Sequence, residues 1–137
     1  MVKSILSSPQ ETILERAMSA SALRHKVISN NIANVNTPLF KKSDVSFEDQ
    51  LAEALAPAEP AMTRTHAKHL TGSKHSGGFE PVITTDTTTS LRTDDNNVDI
   101  DAEMANMAKN TIYYDAVAQQ LGRYFSGLKS VINEGRR

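Results

Sequence analysis

Residues 100–132, IDAEMANMAKNTIYYDAVAQQLGRYFSGLKSVI, decide the fold. Read in alternating steps of four and three, they give Ile100, Met104, Met107, Thr111, Tyr114, Ala118, Leu121, Phe125, Leu128 and Ile132. Only Thr111 breaks this apolar row, which runs unbroken in register across more than four heptads. A period near 3.5 is that of a coiled-coil seam. Val117, Tyr124 and Val131 recur one heptad apart beside it and widen the seam into a face. Asp99 or Asn97 can cap the start, and Asp101 and Glu103 suit the positive end of the helix dipole. At about 1.5 Å per residue the segment makes a rod of roughly 50 Å. Gly122 and Gly127 each cost about 1 kcal/mol in a lone helix, and mark either the close approach of a neighbour or a tolerated weak point.

A second stripe lies at the other end of the chain. Positions 14, 18, 21, 25, 28, 32 and 35 read Leu14, Met18, Ser21, His25, Ile28, Ile32 and Val35. Ile13, Ala17, Ala20 and Val27 flank this row, while Glu11, Glu15, Ser19, Lys26 and Ser29 fall opposite. The spacing predicts an amphipathic helix with His25 as a polar interruption of its seam or an interface residue. Pro9 can open the helix at its first turn. Pro38 pushes Thr37 out of the helical region, so the helix should stop near residues 34–36.

The centre is weaker. Residues 44–56 carry Phe47, Leu51 and Leu55 four apart, which predicts a short helix at 46–56 with Ser46 and Asp49 as its capping box. Between Pro57 and Asn97 only Leu70, Phe79, Val82, Ile83 and Leu91 are large aliphatics or Phe, against nine Thr. The run TTDTTTS at 84–90 is low in complexity. Ordering backbone costs roughly 1–2 kcal/mol per residue, which such a segment cannot offset by burial alone. It is expected to be disordered by itself, or to be a β-rich insert that orders against partners. The chain therefore divides into 1–38, 39–97 and 98–137. The fold expected is mainly α: long terminal amphipathic helices packed as a coiled coil around a polar, partly disordered or β-containing middle.

Composition limits the functions open to this chain. Its 137 residues suit one domain, but Leu, Ile, Val and Phe make up only 30 of them, close to the lower limit for a self-sufficient core. Fifteen basic and sixteen acidic residues give a net charge of −1, so no global field favours nucleic acid or anionic membrane. With no cysteine there is no disulfide scaffold, thiolate site or Cys nucleophile. The first nine residues, MVKSILSSP, fall short of a cleavable signal, and no stretch reaches the length of a membrane span. His66, His69 and His75 lack the i, i+4 ligand spacing of a zinc helix. Asp94, Asp95, Asp99 and Asp101 do not continue into a calcium loop. Lys41 and Lys42 read as a solvated turn, and Tyr113, Tyr114 and Tyr124 as core or interface aromatics. No enzyme, cofactor, metal or small-molecule substrate is expected. Two helices cannot cover faces this wide, so other copies or partners are expected to cover them. Copies meeting head to tail without closing would build a helical filament or tube. The alternative is a soluble helical adaptor or chaperone-type module that holds one partner on the same faces.

The junction after the first helix is the most specific segment. Residues 29–42, SNNIANVNTPLFKK, hold Asn30, Asn31, Asn34 and Asn36, more amides than a helix end needs. The excess suggests specific amide hydrogen bonds, within the turn or to neighbouring subunits. This stretch resembles the N-terminal signature of the bacterial flagellar axial proteins, the rod, hook and hook-associated subunits: N-N-I/L-A-N-x-N-T-x-G-F/Y-K. Asn30, Asn31, Ile32, Ala33, Asn34, Asn36, Thr37, Phe40 and Lys41 match, and Leu39 stands where that pattern has glycine. Residues 96–132 and DVSFEDQL at 44–51 resemble the proximal-rod branch, matched by Asn97, Val98, Asp99, Asp101, Glu103 and Met104 among others. The resemblance implies a structural subunit exported without a cleaved signal peptide and built into the periplasmic rod of the basal body. Its partners would be other rod proteins, copies of itself and the junction of basal-body ring and export gate, with no direct membrane span. The residues expected at the assembly interface are Leu14, Met18, Ile28, Asn30, Asn31, Ile32, Asn34, Asn36, Met104, Met107, Tyr114, Leu121, Phe125, Leu128 and Ile132.

Overall fold

The computed structural model describes residues 8–55 and 80–134. Along the chain it contains α1 (Pro9–Ala33), β1 (Ser43–Ser46), α2 (Glu48–Leu55), β2 (Val82–Thr85) and α3 (Ile100–Glu134). His66, His69 and His75, and the stretch 1–7, lie outside the described residues. Both long helices thus form where the apolar periodicity places them.

Helix α1 opens as its sequence dictates. Ser8, in extended backbone, accepts the Glu11 N–H on its Oγ at 3.2 Å, and Pro9 occupies the first turn, where a missing N–H costs nothing. Asn34 closes it, donating its N–H to Asn30 O and Asn31 O. In α3, Asp99 is the cap: its Oδ1 accepts the Asp101 N–H at 3.0 Å.

The two helices run antiparallel, since Asn31 meets Glu103 while Ser21 meets Asn110. Their contact faces differ from the expected seams. On α1 the buried residues are Ala17, Ala20, Ser21, Ile28 and Asn31, and His25 is exposed, outside the seam expected for it. On α3 they are Glu103, Asn110 and Val117, a heptad row adjacent to the one that reads most apolar. The physical reason is proximity. Small side chains at 17, 20 and 21 let the helices and the strand layer approach closely, and the larger apolar side chains sit around that contact.

Residues 56–79, on which much of the expected disorder falls, lie outside the described residues, and the described parts of the centre are ordered by tertiary contact. β1 and β2 pair antiparallel, with Val45 opposite Ile83 and Ser46 opposite Val82. The expectation of a β-containing middle holds for this part. A two-stranded ribbon is marginal alone. This one is held because Val45 and Phe47 are fully buried against Ala17, Ala20 and Val117, with Leu14, Met18, Leu23, Val27, Leu51 and Tyr113 packed around them. The Ser46–Asp49 capping box is not formed. Residues 43–46 are strand, α2 starts at Glu48, and the Leu51 N–H bonds Phe47 O at 2.9 Å. Burial of Phe47 fixes that register.

Candidate assembly surface

Amides tie the ends of the helices together. Asn31, 1% exposed, donates from Nδ2 to Ser43 O at 2.7 Å and to Glu103 Oε2 at 3.0 Å, and accepts the Ser43 N–H at 3.1 Å. One side chain thereby joins α1, β1 and α3. Asn96 Nδ2 donates to Thr37 O at 2.8 Å and lies within 3.1 Å of the carbonyls of Asn34 and Val35. Its Oδ1 accepts the Val98 N–H at 2.7 Å. Asn97 accepts the Lys42 N–H at 2.7 Å and donates to Asp86 O and Thr89 Oγ1. Asn110 Nδ2 donates to Ser21 O at 2.9 Å inside the helix contact. Every one of these bonds replaces a water contact with a fixed partner, so they set register more than net stability.

A second cluster fastens the strand layer. The Arg24 guanidinium donates to both carboxylate oxygens of Glu48 and to Val45 O, and its carbon lies 4.5 Å from the centre of the Phe47 ring. The Glu48 carboxyl is held down at about 2, chiefly by the hydrogen bonds from Arg24. Burial pushes the Tyr113 hydroxyl up, and its ring meets Phe47 at 6.0 Å between centroids. Asp86 is also lowered to about 2, by the Thr88 N–H and the hydroxyls of Thr89 and Thr88, which fold the Thr-rich loop around it.

The residues expected at an interface separate into three groups. Ile28 and Asn31 are buried within the chain. Leu14, Met18, Ile32, Asn34, Met107, Leu121 and Leu128 are half-buried, while Asn30, Asn36, Met104, Tyr114, Phe125 and Ile132 are exposed. Asn34 bonds within its own turn, to Asn30 O and Thr37 Oγ1, and Asn36 Oδ1 lies 3.4 Å from Arg92 Nη1. Met104, Tyr114, Phe125 and Ile132, with Ile100, leave an exposed apolar row along one side of α3, while Ile112 and Val131 are exposed on other sides of the helix. Towards its C-terminal end Phe125 is 44% and Ile132 63% exposed. By the antiparallel register, α3 there runs past the first turn of α1. Gly122 and Gly127 are exposed, and a Cβ on either would meet nothing within 4 Å among the described residues.

Sequence reasoning missed Arg24, Glu48, Asn96 and Asn110. A signal existed for the last: the heptad row 103, 110, 117, 124 reads Glu, Asn, Val, Tyr, a polar-to-apolar series suited to a contact that fixes register. For Arg24 no local pattern points to a carbonyl 21 residues away.

Residues 12–41 match the model of a family described as flagella basal body rod protein. The flagellar basal body rod protein FlgB of Bacillus subtilis (strain 168) is 36% identical over 123 residues, covering 90% of this chain and 92% of its own length. That of Borrelia hermsii is 35% identical, covering 88% and 93%. That of Yersinia enterocolitica is 28% identical, covering 88% and 91%.

Proposed function

The chain belongs to the FlgB family of flagellar basal body rod proteins, and from that membership we propose that it self-associates and joins other rod proteins in the proximal rod. Its role is structural. The observation that carries the reading is the exposed apolar row of α3, from Ile100 to Ile132, beside a core that is small among the described residues. Leaving Phe125, Val131 and Ile132 in water costs free energy that burial against a neighbour returns, at about 25 cal/mol per Å². The subunit reaches the rod unprocessed, and the tube stands in the periplasm at the junction of ring and export gate. Torque passes through apolar seams and amide contacts, with no chemistry at a site.

The test is to replace Phe125 and Ile132 together by Ser. Both are exposed in the single chain, so its thermal midpoint should stay within about 2 °C of the parent. Assembly and motility should be lost. Normal basal-body rods in that strain, seen by electron microscopy, would refute the assignment of this face. A sharp 1:1 complex with one partner, without self-association, would favour the adaptor reading instead.

A further inference from the structure

β2 is ordered without burying any side chain of its own. Val82, Ile83, Thr84 and Thr85 are all exposed, and none of them belongs to the core cluster. A short two-stranded ribbon is marginal by itself, and its core anchors, Val45 and Phe47, stand on the β1 side alone. Side-chain amides support the ribbon in the positions of peptide groups. At its end the Asp86 N–H donates to Lys42 O at 3.0 Å, and the return bond of that pair runs through Asn97. The Asn97 Oδ1 accepts the Lys42 N–H at 2.7 Å, and its Nδ2 donates to Asp86 O at 2.9 Å. On the far edge of β1, the Asn31 amide takes both backbone groups of Ser43, as a third strand would. Asn31 belongs to the last turn of α1, and Asn97 to the segment that enters α3. Between these ends lies Asn96, fully buried, whose Nδ2 binds the carbonyls of Asn34, Val35 and Thr37. Its side chain has no hydrogen bond to β1 or β2.

We propose that β2 is a strap whose closure on β1 is set by the joint between the end of α1 and the start of α3. With Asn96 holding the joint, Asn97 and Asn31 are in place and the backbone groups of Lys42, Ser43 and Asp86 have partners. With the joint loose, the strap keeps only its ladder bonds, each of which replaces a bond to water. Opening is local. The contacts of Phe47 and Val45 with Ala17, Ala20 and Val117 do not run through β2, so the helix pair does not melt with the strap. The loop after the strand moves with it, because Asn97 Nδ2 also donates to Thr89 Oγ1 at 3.0 Å and Lys41 Nζ to Thr89 O at 2.9 Å. The strap thereby reports whether the two long helices are joined at this end. It is a property of the single chain and does not rest on the rod-subunit reading.

Amide hydrogen exchange on the full chain, resolved by residue with NMR, separates strap opening from unfolding. By the alternation of an antiparallel ladder, the Thr84 N–H faces β1 as the Asp86 N–H does. Asn96→Ala takes no side-chain partner from either strand. It should nevertheless speed exchange at Thr84 and Asp86 about tenfold or more, with less than about a threefold change at Val117 in the core. Asn97→Ala should do the same. Unchanged exchange at Thr84 and Asp86 in Asn96→Ala would overturn the coupling, and so would equal acceleration at Val117. The parent chain gives a second test that needs no variant. Exchange at Thr84 and Asp86 should depend little on low urea, since opening the strap exposes little surface, whereas exchange at Val117 should rise steeply. Equal urea dependence at all three amides would show one cooperative unit and overturn the strap.

Discussion

Asn31 shows how much one residue can decide. It is almost wholly buried and satisfies three hydrogen bonds, two to Ser43 and one to Glu103. Replacing it by Ala leaves a buried carboxylate and both polar groups of Ser43 short of partners. An unfulfilled buried group costs about 1–3 kcal/mol. Asn31→Ala should therefore lower stability by roughly 3 kcal/mol in urea unfolding, while Asn30→Ala, at an exposed position, should change it by less than about 0.5 kcal/mol. Glu48 gives a prediction with pH. Folding lowers its carboxyl from 4.5 to about 2, first through the Arg24 hydrogen bonds. Its contribution is therefore complete above about pH 4.5 and is lost as pH falls towards about 2. More than half of the Glu48 side chain is exposed, so solvent screening holds the contribution below about 1 kcal/mol. Unfolding followed between pH 5 and 2 should show that loss in the parent and a smaller one in Glu48→Gln.

At the scale of elements, α3 is longer than its contact with α1 requires. Its inner row carries Glu103, Asn110 and Val117, and its outer row carries the apolar residues that no described part of the chain covers. Gly122 and Gly127 belong to the part whose surroundings are open. Ala in place of either should stabilise the isolated chain by about 1 kcal/mol, read as a rise in the denaturant midpoint. A drop would mean that a Cβ does meet a neighbour there. The strand ribbon and α2 depend on tertiary support. Phe47 and Val45 are their anchors, and Arg24 clasps the turn between them through Val45 O and Glu48. Both long helices and the Asn-rich turn were legible in the sequence because periodicity and caps are local signals. The pairing of 43–46 with 82–85 was not, since its cause is contact with α1, and the Thr-rich composition of β2 argues against any self-sufficient structure there.

At the scale of the whole molecule, the small core and the long exposed apolar row among the described residues are two aspects of one arrangement. Helices that buried every apolar residue within the chain would have nothing left to hold copies together. The forces proposed for assembly are mainly apolar, and exposed charges are screened beyond about 10 Å at 0.1 M salt. Self-association of the purified chain should therefore survive 1 M sodium chloride with less than about a threefold loss, and weaken on cooling towards 4 °C as the hydrophobic term fades. Dissociation by salt alone, followed by sedimentation, would point instead to charge pairing as the main bond.

The sequence by itself determined two long helices, the Asn-rich turn after the first and an apolar surplus on their faces. All of these follow from spacing along a helix or from backbone preferences of single residues, which need no knowledge of what lies opposite. Only the tertiary structure decided which row of each helix faces inward, because that choice depends on how closely backbones can approach. Ala17, Ala20 and Ser21 allow an approach that Leu14 and Met18 do not, and the strand layer anchored by Phe47 then fills the space beside them. The same choice left Met104, Tyr114, Phe125 and Ile132 facing out. It also fixed Leu39 in left-handed backbone, because Asn96, Arg92 and the Leu39–Asp94 hydrogen bond hold the turn in a shape that the identity of residue 39 does not control.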